Sequence, residues 1–328
     1  MIIDLHCDTI EKAFDEQLKL DSDKLSFNTK LVKQNLPQIQ CLATFVHSKY
    51  EVQNKGYERA SKIIDNFYKT YNPEEMYIIK NVKDLESEQL KTKIGIILTI
   101  ENGTAIFGKY EDKKFSKKIE NDMQKSSNLE NIKELYKKGI RMMGIVWNDD
   151  NKLASGALTK NDKGLTDLGK QYIRELVKHK IIIDVSHASN KTFWDTCKIA
   201  STIVASHSNV KKLCNHPRNL DDEQIKQIAK TGGVISICFS SLFLTETKVA
   251  TVKDVVNHID YIANLVGVEY ISFGSDFDGL DKEHILEDIR NTSDYKKIIE
   301  ELQLRGYTKD DIEKICYKNF IRVAKNIW

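Results

Sequence analysis

Short runs of apolar, β-favouring residues recur along the chain, and longer amphipathic stretches separate them. There are eight: residues 2–7, 41–47, 94–100, 142–147, 181–185, 203–206, 234–239 and 270–274. A strand that is apolar on both faces belongs in a parallel sheet covered on both sides, and parallel neighbours require a crossover, usually a helix. Eight strands alternating with helices is the count of a (β/α)8 barrel. An open doubly wound sheet would alternate too, but no Gly-rich phosphate turn follows the first run. The expectation is therefore an α/β fold, a TIM-type barrel that occupies residues 1–328 as one domain.

The stretches between the runs carry helix signals. Residues 24–34 and 57–71 space their apolar residues by three and four, and residues 129–138 end at Gly139. Thr166 is a good N-cap for a helix over 166–180, whose stripe is Leu168, Tyr172, Ile173, Leu176 and Val177. Residues 222–230 stop at Gly232-Gly233. Thr251 with Asp254, and Thr308 with Asp311, form capping boxes for a helix ending at Gly267 and for a last helix over 310–326. Two stretches break the rhythm: a charged insertion at 109–128 and an irregular loop at 148–164.

Composition removes several classes of function. Lys+Arg number 50 and Asp+Glu 48, so no basic excess points to nucleic acid. With 41% hydrophobic and 30% charged residues the chain is globular rather than disordered. No apolar run approaches the ~18–20 residues that cross a bilayer, and no basic segment leads into an apolar one, so neither a membrane span nor a signal peptide is expected. The six cysteines are scattered without a C-x-x-C pair, which suits reduced thiols in a cytoplasmic protein.

The chemistry gathers at strand ends. In such a barrel the C-terminal ends of the strands meet at one mouth. There stand His6 and Asp8, Glu101, His187, His207 and Asp276. Three histidines and three carboxylates in one place suit a divalent metal such as zinc, and two ions suit the set better than one. His6 with Asp8 can hold one ion, His187 with His207 the other, and Glu101 can bridge them. A shared hydroxide would then be the nucleophile, with Asp276 placed to orient it and to pass its proton to a leaving amine. Asp4 alternates with His6 and Asp8, so it is either a support for the site or a buried polar residue satisfied by backbone groups. Arg218 is either a bidentate clamp for a substrate carboxylate or a surface arginine. Of the other histidines, only His47, ending the second run, is a serious ligand candidate.

The chain resembles the membrane (renal) dipeptidase family of zinc metallopeptidases, in particular its soluble bacterial members. The stretches are Ile3-Asp-Leu-His-Cys-Asp-Thr9, Ile100-Glu-Asn-Gly-Thr-Ala-Ile106, Gly164-Leu-Thr-Asp-Leu-Gly169, Ile183-Asp-Val-Ser-His187, Ser206-His-Ser-Asn209, Pro217-Arg-Asn219 and Gly274-Ser-Asp-Phe-Asp-Gly279. They run in family order over nearly the whole chain. The resemblance implies a metal-dependent hydrolase barrel with two Zn²⁺ ions that cleaves free dipeptides and tolerates a D-residue at the C-terminal position. It implies His6, Asp8 and Glu101 on one zinc, and Glu101, His187 and His207 on the other. Arg218 would take the substrate carboxylate, and Asp276 would lie near the substrate amine and bridging water. Members are often dimers, so a homodimer is the implied assembly.

Three departures bear on substrate. Trp147-Asn148 stands where some animal members carry a substrate-contacting histidine, Phe239-Ser240 replaces Phe-Tyr, and Lys318 replaces a glycine. Two rivals stay open: another metal-dependent barrel hydrolase acting on cyclic amides, lactones or phosphoesters, and a non-enzymatic metal-binding barrel.

Overall fold

The computed structural model describes residues 1–35, 37–108 and 122–328. Among them are eight strands: β1 (Ile2–Cys7), β2 (Gln38–Thr44), β3 (Met76–Ile78), β4 (Ile94–Ile100), β5 (Ile140–Gly144), β6 (Ile182–Asp184), β7 (Ile235–Ile237) and β8 (Ile271–Phe273). All pair in parallel, in the order β6-β5-β4-β2-β1-β8-β7, with β3 off that path.

Residues 203–206 join the ring through two parallel bridges, Asp184 with Val204 and Ala205 with Ile235, which link β6 to β7 and close a (β/α)8 barrel. Their ladder is short for a local reason. The amides of Ser206 and His207 donate to side chains, Asp184 Oδ1 and Ser186 Oγ, so the strand ends almost as it begins. The strand β3, which the apolar pattern does not announce, pairs with β4 at Met76–Ile94 and Ile78–Ile96, on the edge that β5 takes further along at Leu98–Ile140. Three residues, two of them half-exposed, are too few to register as a period.

Most crossovers follow the periodicity: Gly56–Thr70, Asp167–Lys178, Asp222–Lys230 and Val252–Val266 are helices. The last helix runs Lys309–Glu313 and Asn319–Ile327 around a π-turn at Lys314–Lys318. The expected helix over 24–34 shrinks to Thr29–Lys33, because the amides of Ser26 and Phe27 donate to the Asp278 carboxylate from the other end of the chain. Most of the 109–128 insertion lies outside the described residues; a helix spans Asp122–Lys137.

Two apolar cores result. Ile3, Leu5, Ile39, Cys41, Ile97, Met142, Ile182, Val204 and Val234 fill the barrel, completed by Phe320, Val323 and Ala324 of the last helix. The opposite strand faces, with Leu42, Ile96, Leu98 and Ile100, pack on helix residues such as Ile63, Ile64 and Phe67. Burial of aliphatic side chains at roughly 25 cal/mol per Å² drives both. The polar residues crowd at the C-terminal ends of the strands.

Candidate metal centre

An irregularity in β1 decides which residues enter the mouth. The β1–β2 register pairs Asp4 with Gln40 but Cys7 with Leu42, so strict alternation fails between them. Ile3 and Leu5 face the barrel core, whereas Asp4 turns to Ser275 and Tyr295: it accepts from Ser275 N (2.9 Å), Ser275 Oγ (2.6 Å) and Tyr295 Oη (2.6 Å). Asp4 thus does not share a face with His6 and Asp8. It is a buried polar residue that pins the turn leading to Asp276.

The six mouth residues converge. His6 Nε2 lies 3.3 Å from Asp8 Oδ2 and 3.8 Å from Asp276 Oδ1. Glu101 Oε1 lies 2.9 Å from His187 Nε2 and 3.8 Å from His207 Nε2, and these two nitrogens are 2.8 Å apart. Three overlapping sets, His6/Asp8/Glu101, Glu101/His187/His207 and His6/His207/Asp276, each bring their donor atoms within 4.8 Å of one another. All are buried except Asp276, which is partly open to the mouth. His187 and Asp276 adopt left-handed backbone, φ +66° and +64°, a cost that tolerant surroundings must impose and that concentrates at functional sites. Asp278 repeats it (φ +67°) and anchors the loop by accepting from Thr9 Oγ1, Lys12 Nζ and Ser26 N. Gly279 completes the cradle: a Cβ there would sit 2.3 Å from Asp8 Oδ2 and 2.8 Å from Asp276 Oδ1.

Proton affinities diverge sharply inside this space. Burial opposes charge on the His6 ring, but Asp8, Glu101 and Asp276 outweigh it and raise its pKa to about 10. Burial, with the charges of Asp8 and Asp276, pushes Glu101 well above the usual carboxylate range. Burial and Asp8 raise Asp276 to about 6 against the pull of His6 and Arg218. Burial holds His187 and His207 well below the usual imidazole value, helped by the cationic His6 and Arg218.

Whether these residues fit metal ions is decided by their hydrogen bonds. His187 Nδ1 lies 2.8 Å from Asn148 Oδ1, an acceptor, so its proton is on Nδ1. His207 Nδ1 lies 2.8 Å from Ser206 Oγ, whose own hydrogen goes to Asp184 Oδ2, so its proton is on Nδ1 too. Both Nε2 lone pairs therefore point at one another and at Glu101. Two bare nitrogens at 2.8 Å repel, and a shared cation relieves them. Among the described residues, His6 Nε2 and Asp8 Oδ1 are likewise buried without a hydrogen-bond partner. The donor set, imidazole nitrogen with carboxylate oxygen, is the one zinc and similar divalent ions take.

Arg218 is buried rather than on the surface. One guanidinium nitrogen donates to His207 O (3.2 Å), Nε has no hydrogen-bond partner among the described residues, and the plane lies 5.4 Å from the Phe243 ring. His47 stays out of the cluster: its Nδ1 accepts from Lys49 N (3.0 Å), and its ring packs with Phe45 and Trp147 beside His187. His179, His216 and His284 lie elsewhere, and His258 is a buried strut between Val210 N and Leu244 O. The supports Asn148, Asp184 and Asp278 are not evident from spacing alone. Asp184, three residues before His187, and Asp278, two after Asp276, are near signals, whereas Asn148 shows only as the neighbour of Trp147 at a departure from the family pattern.

A parallel α/β barrel with a buried His/Asp/Glu cluster at its mouth has the architecture and the donor set of a metal-dependent barrel enzyme. The family model for membrane dipeptidase (peptidase family M19) matches residues 1–327, and the chain belongs to that family. By enzyme class it is a metallo-dipeptidase. An uncharacterised protein from the pqqA 5′ region of Klebsiella pneumoniae is 36% identical over 60% of this chain and 76% of its own length. An uncharacterised dipeptidase of Schizosaccharomyces pombe is 30% identical over 59% of this chain and 48% of its own length. Among solved structures, a metallo peptidase from Rhodobacter sphaeroides, liganded with a phosphinate mimic of L-Ala-D-Ala, superposes with TM-score 0.84 at 19% identity, covering 100% of this chain and 99% of that one. Among the described residues no helix is long and apolar enough to cross a membrane.

Proposed function

We propose that the protein is a dinuclear zinc dipeptidase acting on free dipeptides, including those with a D-residue at the C-terminal position. The observation that carries it is the pair of Nε2 atoms on His187 and His207, 2.8 Å apart beside Glu101, with His6 Nε2 and Asp8 Oδ1, which have no hydrogen-bond partner among the described residues, opposite. His6, Asp8 and Glu101 would hold one ion, and Glu101, His187 and His207 the other. When bound, the ions supply Lewis acidity and a water acidified toward neutral pH.

The chain's own residues do the rest. Arg218, buried and with no hydrogen-bond partner for Nε among the described residues, offers a fixed cation for the C-terminal carboxylate of a dipeptide. Asp276 has Oδ2 within reach of the Cys238 thiol (3.6 Å), while Oδ1 faces His6. With its pKa raised to about 6, Asp276 is a base at neutral pH that can take a proton from the attacking water and return it to the departing nitrogen. Trp147, 5.3 Å from Phe45 and 6.0 Å from His187, makes an aromatic wall where some animal members place a histidine, and it would offer a substrate an aromatic rather than an imidazole contact there. The Rhodobacter relative's dipeptide mimic supports the substrate class. The same reading makes residues 1–328 one catalytic domain, carries a cytoplasmic location, which six free cysteines support, and a homodimeric assembly.

The test is zinc-dependent hydrolysis of a panel of L,L- and L,D-dipeptides by wild type, Asp276→Asn and Arg218→Ala. Cleavage of free dipeptides, lost in Asp276→Asn and weakened in binding for Arg218→Ala, is the expected result. Two bound zincs with no dipeptide turnover, or turnover of cyclic amides, lactones or phosphoesters instead, would sink it.

A further inference from the structure

We infer that the loop after β5 is a clamp for His187, and that Asn148 is the positioning residue that keeps the Nε2 of His187 bare for a metal. This rests on the metal reading above.

The loop grips His187 in three ways. Asn148 Oδ1 accepts from the ring at Nδ1 (2.8 Å), Ala157 N donates to the His187 carbonyl (2.8 Å), and Gly156 bridges Ala188. It is also closed on itself, because Leu158 N donates to Asn148 O (2.9 Å) and Gly156 N to Asp150 Oδ1 (3.2 Å). Gly156 makes this closure fit: a Cβ there would stand 2.3 Å from the carbonyl oxygens of both Trp147 and Asn148. The far side of the loop is tied to the residue after Glu101, since Asn151 Nδ2 donates to Asn102 Oδ1 (3.0 Å) and to Ile145 O (2.9 Å). One loop thus spans the two residues, Glu101 and His187, whose donor atoms lie 2.9 Å apart.

The neighbouring ligand is held differently. His207 leans on Ser206, which in turn bonds the buried Asp184 carboxylate, and all three belong to strand ends. His187 depends on a neutral amide carried by a loop. Without that acceptor its ring proton can move to Nε2, where it must be displaced before a metal binds, and the ring loses the bond that orients it.

The experiment uses Asn148→Ala, Asn148→Asp and Gly156→Ala. In the metal-free proteins, ¹⁵N NMR of labelled histidine, assigned with His187→Asn, reads the tautomer. Competition with a chromophoric chelator reads zinc affinity. Wild type should show the Nδ1–H tautomer at His187. Asn148→Ala should shift it toward Nε2–H and weaken one of two zinc sites about 10–100-fold, leaving the other unchanged. Asn148→Asp, which keeps an acceptor, should restore both readouts, and Gly156→Ala should resemble Asn148→Ala without touching the ring. Asn148→Ala with an unchanged tautomer and unchanged zinc affinity overturns the role of Asn148; a wild-type-like Gly156→Ala overturns the clamp. If wild type binds no zinc, the metal reading fails, and the tautomer in the metal-free variants still decides the clamp.

Discussion

The two halves of the barrel mouth carry histidines at similar depth, yet the protein gives them opposite proton affinities. On the β1/β8 side His6 sits between Asp8 and Asp276 and holds its proton up to about pH 10. On the other side His187 and His207 face each other and Arg218 and are held neutral. Glu101 lies between, buried and pushed toward its protonated form. Imidazole chemistry here is made by neighbours, and burial alone would have driven all three rings the same way. The difference teaches that the mouth is electrostatically unfinished. Its acidic half holds protons and its imidazole half holds bare lone pairs, and divalent cations would replace the first and satisfy the second.

Removing the residue that joins the halves should break the comparison most. Glu101→Gln is expected to abolish zinc binding and lower dipeptide hydrolysis by several orders of magnitude, read by metal analysis and turnover. The same variant should melt higher than wild type when both are metal-free, because glutamine mimics the protonated form that burial favours. A metal-free Glu101→Gln that melts lower would contradict the electrostatics drawn here.

Asp276→Asn acts on the acidic half alone. We expect kcat to fall roughly 10²–10⁴-fold with zinc content retained, the size of a lost general base. Loss of zinc along with activity would instead make Asp276 a ligand.

The pH dependence of stability sharpens the contrast. A carboxylate whose folded pKa is raised contributes stability that is full below its unfolded value and lost as pH rises through the folded one. For Asp276 the window runs from 3.8 to about 6. Metal-free wild type should therefore lose stability relative to Asp276→Asn across that window, by roughly 2–3 kcal/mol, and hold a constant difference above it. The neutral imidazoles work in reverse: His187 and His207 have depressed folded values, so their contribution is present above the ordinary value of 6.5 and lost as pH falls. Denaturant titrations at several pH values, with His207→Gln beside Asp276→Asn, separate the two. A parallel pH response in both variants counts against the division.

The smallest effect belongs to Arg218, which faces both halves. Arg218→Lys keeps the charge but not the planar fork, and KM for dipeptides should rise about tenfold with kcat little changed. A change confined to kcat would place Arg218 in the chemistry rather than in carboxylate binding.

Much of this was legible in the chain. The alternation of apolar runs and capped helices announces the barrel, and the polar residues that close those runs, from His6 to Asp276, are the ones brought together. What was not legible has one physical origin in each case. The strand β3 is too short to show a period, and residues 203–206 lose their ladder to side chains of Asp184 and Ser186. Residues 24–28 give up helix to Asp278, which lies 252 positions from Ser26 and 251 from Phe27.

By itself, then, the sequence determined the number of strands in the ring and the chemical identity of the groups at its mouth, since period and composition are local properties. Tertiary structure alone decided that the Asp4 carboxylate goes to Ser275 and Tyr295 and not to the metal-donor cluster, because the break in β1 depends on its pairing with β2. It alone decided which nitrogen of His187 and His207 is free, because Asn148 and Ser206 must first be brought to the opposite side of each ring. Proton affinity is set by charges within a few ångströms, and those charges come from strands that only the closed barrel makes neighbours.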